Sequence, residues 1–148
     1  MNKRNIILIG MPGAGKSSVG VILAKVLGYE FIDTDLVIQH REKRLLREII
    51  ADEGNEGFLA IENEVNATLE ANKSVIAPGG SAIYGKEAME HFKEIGTIVY
   101  LKLSYEDLAK RLGNLKGRGV VLKEGQTLKD LYDERSKLYE QYADCLLY

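Results

Sequence analysis

Short runs of apolar and β-branched residues alternate along the chain with longer segments in which apolar residues recur at helical spacing. Short apolar runs are typical of buried strands, and 3.6-residue periodicity is typical of helices. The predicted strands are residues 6–9, 30–32, 74–77, 97–101 and 145–148, and the predicted helices are residues 16–27, 35–43, 45–52, 58–71, 85–94, 105–112 and 128–143. Strands and helices that alternate in this way predict a parallel sheet with helices on both faces, a three-layer α/β/α fold.

The composition is that of one globular domain spanning residues 1–148. Apolar residues make up 45% of the chain and charged residues 28%, which excludes the disordered class. The formal net charge of −2 provides no basic field, so we expect no nucleic-acid and no membrane partner. The apolar run at residues 6–9 is too short for a signal peptide or a membrane span, and we expect neither.

Cys145 is the only cysteine of the chain, which excludes an intrachain disulfide and a multi-cysteine metal site. A single cysteine fits a reducing compartment. We therefore expect a cytoplasmic protein in which Cys145 is a small, buried, apolar residue. We also expect a monomer.

The segment from Gly10 to Ser17 matches the pattern G-x-x-x-x-G-K-[ST] and directly follows the first predicted strand. In this context successive backbone N–H groups and the positive end of the next helix form a phosphate-binding nest. Lys16 would reach the β- and γ-phosphates, and the Ser17 hydroxyl would bind magnesium. An ordinary glycine turn is the alternative, and the flanking strand and helix disfavour it. The expected nucleotide-binding residues here are Gly13, Ala14, Gly15, Lys16, Ser17 and Ser18.

Polar and glycine residues follow the next two predicted strands. Asp33 and Asp35 follow the second strand, and could serve the metal's water shell and an acceptor hydroxyl, or could simply cap the next helix. The phosphate loop on a neighbouring strand favours the functional interpretation, because ligands bind at the carboxyl ends of such strands. Gly79 and Gly80 follow the third strand, where a backbone without side chains can approach a ligand.

Three arginines are candidates for binding phosphates or an anionic acceptor. Arg111 and Arg135 fall on predicted helices, and Arg118 lies in the glycine-flanked segment 113–125. Phosphoryl transfer needs positive charge near the equatorial oxygens, and a closing lid often supplies it. A solvated helix face is the alternative for any single arginine; Arg118 is the strongest exception.

The order and spacing of these motifs resemble the shikimate kinase family, a P-loop NTPase family of the nucleoside-monophosphate-kinase-like class. The resemblance covers nearly the whole chain and includes the stretch 31–35, the stretch 54–62, the Gly79-Gly80 pair and the stretch 134–139. It implies one kinase domain with a five-stranded parallel sheet in the order 2-3-1-4-5, substrate-binding helices at about 35–71 and a lid at about 113–125. It also implies ATP-dependent phosphorylation of the 3-hydroxyl of shikimate, in aromatic amino-acid biosynthesis.

The resemblance assigns roles residue by residue. Asp33, with Ser17, would hold Mg²⁺, and Asp35 would bind the acceptor hydroxyl and act as its base. Gly79, Gly80 and Arg135 would bind the substrate, with Arg135 at its carboxylate. The catalytic residues would be Asp35, Lys16 and Arg118, with Arg118 as the lid arginine. Arg111 would lie under the adenine.

The chain departs from the family pattern at three internal positions. Leu59 stands where the family's Phe-Arg-x-x-Glu motif has a substrate-binding arginine, Ser81 replaces a third glycine, and Gly119 replaces the proline after the lid arginine. Losing one charge-assisted hydrogen bond is expected to weaken carboxylate binding by about 10- to 150-fold unless another arginine, such as Arg44 or Arg47, compensates. The sequence given ends at Tyr148, where the family pattern usually continues through an adenine-contacting loop into a helix.

These departures leave two alternatives open. One is a kinase for another small hydroxylated metabolite, and the other is a nucleotide-binding relative without catalytic activity. A GTPase switch is excluded, because the chain has neither Asn-Lys-x-Asp nor Asp-x-x-Gly.

Overall fold

The computed structural model of the protein describes residues 4–113 and 126–147. The strands are β1 (Asn5–Ile9), β2 (Glu30–Asp33), β3 (Ser74–Ala77), β4 (Gly96–Leu101) and β5 (Cys145–Leu147). The helices are α1 (Lys16–Leu27), α2 (Thr34–Glu42), α3 (Leu46–Ala67), α4 (Lys86–Ile95), α5 (Tyr105–Gly113) and α6 (Leu128–Tyr142), with a 3₁₀ turn at Ala82–Tyr84. The strands pair in parallel in the order β2-β3-β1-β4-β5, which confirms the expected topology.

The sheet is covered on both faces by apolar side chains that alternate along its central strands. Ile7 of β1 and Ile98 of β4 are fully buried against Phe92 of α4 and Tyr139 of α6. On the opposite face Leu8 of β1 packs in one cluster with Ala24 of α1 and Val75 of β3. This alternation confirms the three-layer arrangement and explains why the central strands are mostly apolar. Among the described residues, no helix combines the length and the apolar character that a membrane crossing requires.

One expectation about packing is wrong, and one about helix continuity is confirmed. Cys145 is exposed, because it lies on the edge strand β5, which pairs with β4. The two helices predicted at 45–52 and 58–71 are confirmed as two helical segments within Leu46–Ala67, separated at Gly54, where φ is 75° and ψ is 174°. Glycine adopts this left-handed φ without a Cβ clash, so the chain turns there and continues as a helix.

Candidate active site

A cleft of about 500 Å³ lies at the carboxyl ends of β1, β2 and β3, as expected for an open parallel sheet. The phosphate loop, the start of α2, the middle of α3, the loop after β3 and the helices α5 and α6 all contribute to its walls. Of the residues expected to be functional, the cleft is lined by Gly13, Gly15, Lys16, Ser17, Ser18, Asp33, Asp35, Gly79, Gly80, Arg111 and Arg135. Arg118 and most of the expected lid at 113–125 lie outside the described residues.

The phosphate loop is fixed by glycine backbone conformations and by its own lysine. Gly13 and Gly15 have φ values of 88° and 94°, and Gly15 is the N-cap of α1. Lys16 Nζ donates to the carbonyl oxygens of Gly10 at 2.6 Å and Met11 at 3.0 Å. The ammonium group is therefore held against the loop, next to the positive end of α1.

Asp33 and Asp35 face the same cleft from the junction of β2 and α2. Asp33 is the N-cap of α2, and its Oδ1 accepts a hydrogen bond from the Asp35 backbone N–H at 2.9 Å. Helix capping, the alternative considered for this pair, thus accounts for one oxygen of Asp33. The cap places Asp35 in the first turn of α2, with its carboxylate directed toward the loop after β3.

The loop after β3 needs glycine because three elements meet there. A Cβ added to Gly80 would lie 2.7 Å from Pro12 Cδ of the phosphate loop and 2.8 Å from Arg135 Nη1 of α6. A Cβ added to Gly79 would lie 2.8 Å from Asp35 Oδ1. The absence of side chains at these two positions therefore lets the phosphate loop, the start of α2 and α6 approach the loop after β3 closely.

Gly80→Ala is expected to lower kcat/KM for the acceptor by about 100-fold, because the new methyl group displaces Pro12 or Arg135 by a fraction of an ångström or more. Gly28→Ala is the matched control. Its added Cβ meets no atom within 4 Å, although its φ of 70° strains an alanine. Steady-state kinetics and thermal unfolding of both variants separate the effects; a Gly80→Ala variant with unchanged kcat/KM would contradict the close approach described here.

Arg135 is 1% exposed although it carries a charge. Its guanidinium lies over the ring of Tyr84, 5.5 Å from the centroid. One turn later on α6, the hydroxyl of Tyr139 donates to the carbonyl oxygen of Gly80 at 2.6 Å and contacts Met11 Sδ at 3.9 Å. The Tyr84 hydroxyl donates a hydrogen bond to Glu134. The pKa of Tyr84 is raised mainly by burial and to a smaller extent by this hydrogen bond. The arginine is therefore held in one orientation, with a fixed positive charge in the cleft wall.

Glu62 is a buried carboxyl group in the cleft wall, 2% exposed, on α3. Its Oε1 accepts a hydrogen bond from Ser81 Oγ at 2.6 Å, and its Oε2 has no hydrogen-bond partner among the described residues. Burial raises the pKa of Glu62 to about 7; the Ser81 bond opposes this shift, and the negative charge of Asp35 adds to it. Arg135 and Lys16 lower that pKa by smaller amounts.

The raised pKa of Glu62 predicts a pH-dependent free energy of unfolding. The folded state binds this proton more tightly than the unfolded chain, whose carboxyl has the ordinary pKa of 4.5. The stabilisation is therefore complete below pH 4.5 and is lost as the pH rises to about 7. Relative to Glu62→Gln, the wild-type free energy of unfolding should fall by about 3 kcal/mol across this window. Urea unfolding at several pH values measures the difference; a constant difference would contradict the assignment.

Leu59 does not line the cleft. It is half-buried and packs with Ile38, Ile49, Phe58 and Val65 between α2 and α3. Of the two arginines considered as substitutes for a charge at this position, Arg44 is held at 3.1–3.2 Å by three carboxylates, those of Glu42, Asp52 and Glu53. Arg47 is exposed. Arg135 lines the cleft, whereas Arg44 and Arg47 do not.

Arg111 lies against the phosphate loop, where its Nη1 donates to the Gly13 carbonyl oxygen at 3.1 Å. It is exposed on α5, beside the expected nucleotide position. Glu62 and Tyr139 are the residues of this site to which sequence reasoning gave no role, and Ser81 was noted only as the replacement of a glycine. Helical spacing alone does not distinguish Tyr139 from a packing residue.

A family model described as shikimate kinase matches residues 12–147. The shikimate kinase of Histophilus somni is 39% identical over 149 residues, which cover 98% of this chain and 85% of that protein. A shikimate kinase structure from Acinetobacter baumannii, in complex with shikimate, matches with a TM-score of 0.85 at 35% identity and covers 97% of this chain and 82% of that one. The shikimate kinase structure from Aquifex aeolicus matches with a TM-score of 0.79 at 32% identity, covering 97% and 85%. With the phosphate loop, the paired aspartates and the buried arginine in one cleft, this chain belongs to the shikimate kinase family, whose members are small-molecule kinases.

Proposed function

We propose that this protein transfers the γ-phosphoryl group of ATP to the 3-hydroxyl of shikimate. The observation that carries the proposal is that the phosphate loop meets a second wall of the cleft at Gly80, in a chain of the shikimate kinase family. We call this second wall, formed by Asp35, Gly79, Gly80 and Arg135, the acceptor wall. The Acinetobacter baumannii relative was solved with shikimate bound. A different acceptor and a non-catalytic role are not favoured, because the relatives compared above are shikimate kinases.

The donor half of the reaction rests on the phosphate loop. Its backbone N–H groups and the start of α1 bind the phosphates, and Lys16 stabilises the charge that spreads over the moving phosphoryl group. Arg111 already contacts the loop at Gly13, and we assign it a position beside the adenine. Arg118 is assigned to the phosphates as a lid residue on the resemblance alone.

The donor set of Ser17 and Asp33 suits Mg²⁺, because both residues offer oxygen ligands. The described residues contain no group of three or more His, Cys, Asp or Glu side chains arranged to hold a metal ion. Mg²⁺ commonly keeps several waters and binds through one or two carboxylates together with substrate phosphates, and at this position it would neutralise charge on the phosphates. Asp33 would act through its oxygens while also capping α2.

The acceptor half rests on Asp35 and Arg135. Asp35 orients the acceptor hydroxyl and removes its proton as the bond to phosphorus forms. Arg135 binds the acceptor carboxylate, because a planar guanidinium pairs with a carboxylate through two hydrogen bonds. Gly79 and Gly80 supply a backbone wall that admits the substrate close to the phosphate loop.

We also propose a cellular location, an oligomeric state and a class of partner for the protein. We assign it to the cytoplasm, as a monomer that uses a small-molecule substrate and no nucleic acid. The net charge of −2 and the single cysteine support this assignment.

A coupled ADP-release assay tests the proposed function. The purified protein with MgATP is offered shikimate in parallel with a panel of polyols and hydroxy acids. We expect ADP release above the acceptor-free rate with shikimate, and the highest kcat/KM for it. Release stimulated by another acceptor and not by shikimate would overturn the proposal.

A further inference from the structure

Glu62 and Asp35 converge on the same point of the acceptor wall. A Cβ placed on Gly79 would lie 2.8 Å from Asp35 Oδ1 and 3.1 Å from Glu62 Oε2. Both oxygens therefore border the space directly over the Gly79 backbone, where the proposed function puts the acceptor. Glu62 has no part in the phosphoryl transfer described above, so its position in this wall calls for its own explanation.

The hydrogen bonding of Glu62 favours a neutral carboxyl group. Ser81 donates one hydrogen bond to Oε1, whereas Oε2 has no partner among the described residues. An ionised carboxylate with one hydrogen bond and 2% exposure is costly, because the unpaired oxygen has lost its water without a replacement donor. A proton on Oε2 removes that cost and creates an O–H donor at the acceptor wall.

The charged groups around Glu62 come from three other elements. Asp35 of α2 contributes a negative charge, and Lys16 of α1 and Arg135 of α6 contribute positive ones. Lys16 is bound to the phosphate-loop carbonyls, and the proposed function assigns it to the donor phosphates. Arg135 is the cation that the proposed function assigns to the acceptor carboxylate. If Glu62 were ionised, its negative charge would add to that of Asp35 beside the substrate's own carboxylate.

We propose that Glu62 binds the acceptor as a neutral carboxyl group whose Oε2–H donates a hydrogen bond to it, so that affinity for an anionic acceptor depends on this proton. This inference rests on the proposed function and adds a specificity-determining residue to it. The pKa of about 7, set mainly by burial, places the change of charge near neutrality. Above that pH, a carboxylate substrate meets an additional negative charge in the wall.

Calorimetric titration with shikimate at pH 6 and pH 8.5 tests the inference. For the wild type we expect a Kd about 30-fold higher at pH 8.5 than at pH 6, since the protonated fraction of Glu62 falls by about that factor between the two pH values. Glu62→Gln keeps a donor and an acceptor in the same shape without titrating, so its Kd should be equal at the two pH values and close to the wild-type value at pH 6. Glu56→Gln, the same change at an exposed site on α3, should follow the wild type.

A second variant guards against a Glu62→Gln protein that does not fold. Ser81→Ala removes the donor that favours the ionised form, so the rise in Kd should move to higher pH. Identical pH profiles for wild type, Glu62→Gln and Ser81→Ala would overturn the inference and leave only a structural role for Glu62. Binding with the expected profile but without phosphoryl transfer would overturn the proposed function alone, and no shikimate binding at either pH would overturn both.

Discussion

Asp35→Asn is expected to lower kcat by about 1,000-fold while the Kd for ATP stays within about twofold of the wild type, because the change removes the general base without altering the phosphate loop. Asparagine has nearly the same shape as aspartate. The cap of α2 is also preserved, since Asp33 bonds to the backbone N–H at this position and not to the side chain. The loss should therefore appear in the chemical step and not in folding or donor binding.

Single-turnover kinetics and calorimetric titration with ATP measure these two effects separately. Asp107→Asn, the same change at an exposed site in the first turn of α5, is the matched control and should keep wild-type kcat. An Asp35→Asn protein that turns over at more than a tenth of the wild-type rate would contradict the role of Asp35 as base.

Lys16→Met is expected to lower kcat/KM for ATP by about 1,000-fold, because it removes positive charge where the transferred phosphoryl group develops negative charge. The variant also removes the hydrogen bonds that the Lys16 ammonium donates to the carbonyl oxygens of Gly10, at 2.6 Å, and Met11, at 3.0 Å. The loop should therefore be less well held, and part of the loss should appear in ATP affinity. Lys16→Arg should not restore activity, since a planar guanidinium cannot occupy the position of the compact ammonium.

Lys25→Met is the control for Lys16→Met, because Lys25 is exposed in the last turn of the same helix. Initial rates at varied ATP concentration distinguish the two variants. A Lys16→Met protein within tenfold of the wild-type kcat/KM would contradict the assignment of Lys16 to the phosphates.

The fold could be predicted because its signals are local. Each strand is a short apolar run, and the glycine pattern from Gly10 to Ser17 specifies its own strand–turn–helix context. Helix α1 was predicted with the bounds that the structure gives. Strand order came from the resemblance to a family, because pairing between strands distant in sequence leaves no local signal.

The acceptor wall was predicted less completely, because it depends on contacts between distant segments. Ser81 and Glu62 are 19 residues apart, and only the packing of α3 against the loop after β3 brings them together. Leu59 was identified as standing in place of a substrate-binding arginine, but its packing into the cluster between α2 and α3 could not be predicted from that substitution. Cys145 was expected to be buried, and its exposure follows from the edge position of β5, which composition does not reveal.

Phosphorus NMR of the product tests the proposed function most directly. The purified protein is incubated with MgATP and shikimate, and the phosphorus signals are followed as ATP is consumed. We predict that ADP and a phosphate monoester coupled to the proton at carbon 3 of shikimate form in equal amounts. Inorganic phosphate as the only new signal beside ADP, or no change in ATP while the protein remains folded, would contradict a shikimate 3-hydroxyl kinase.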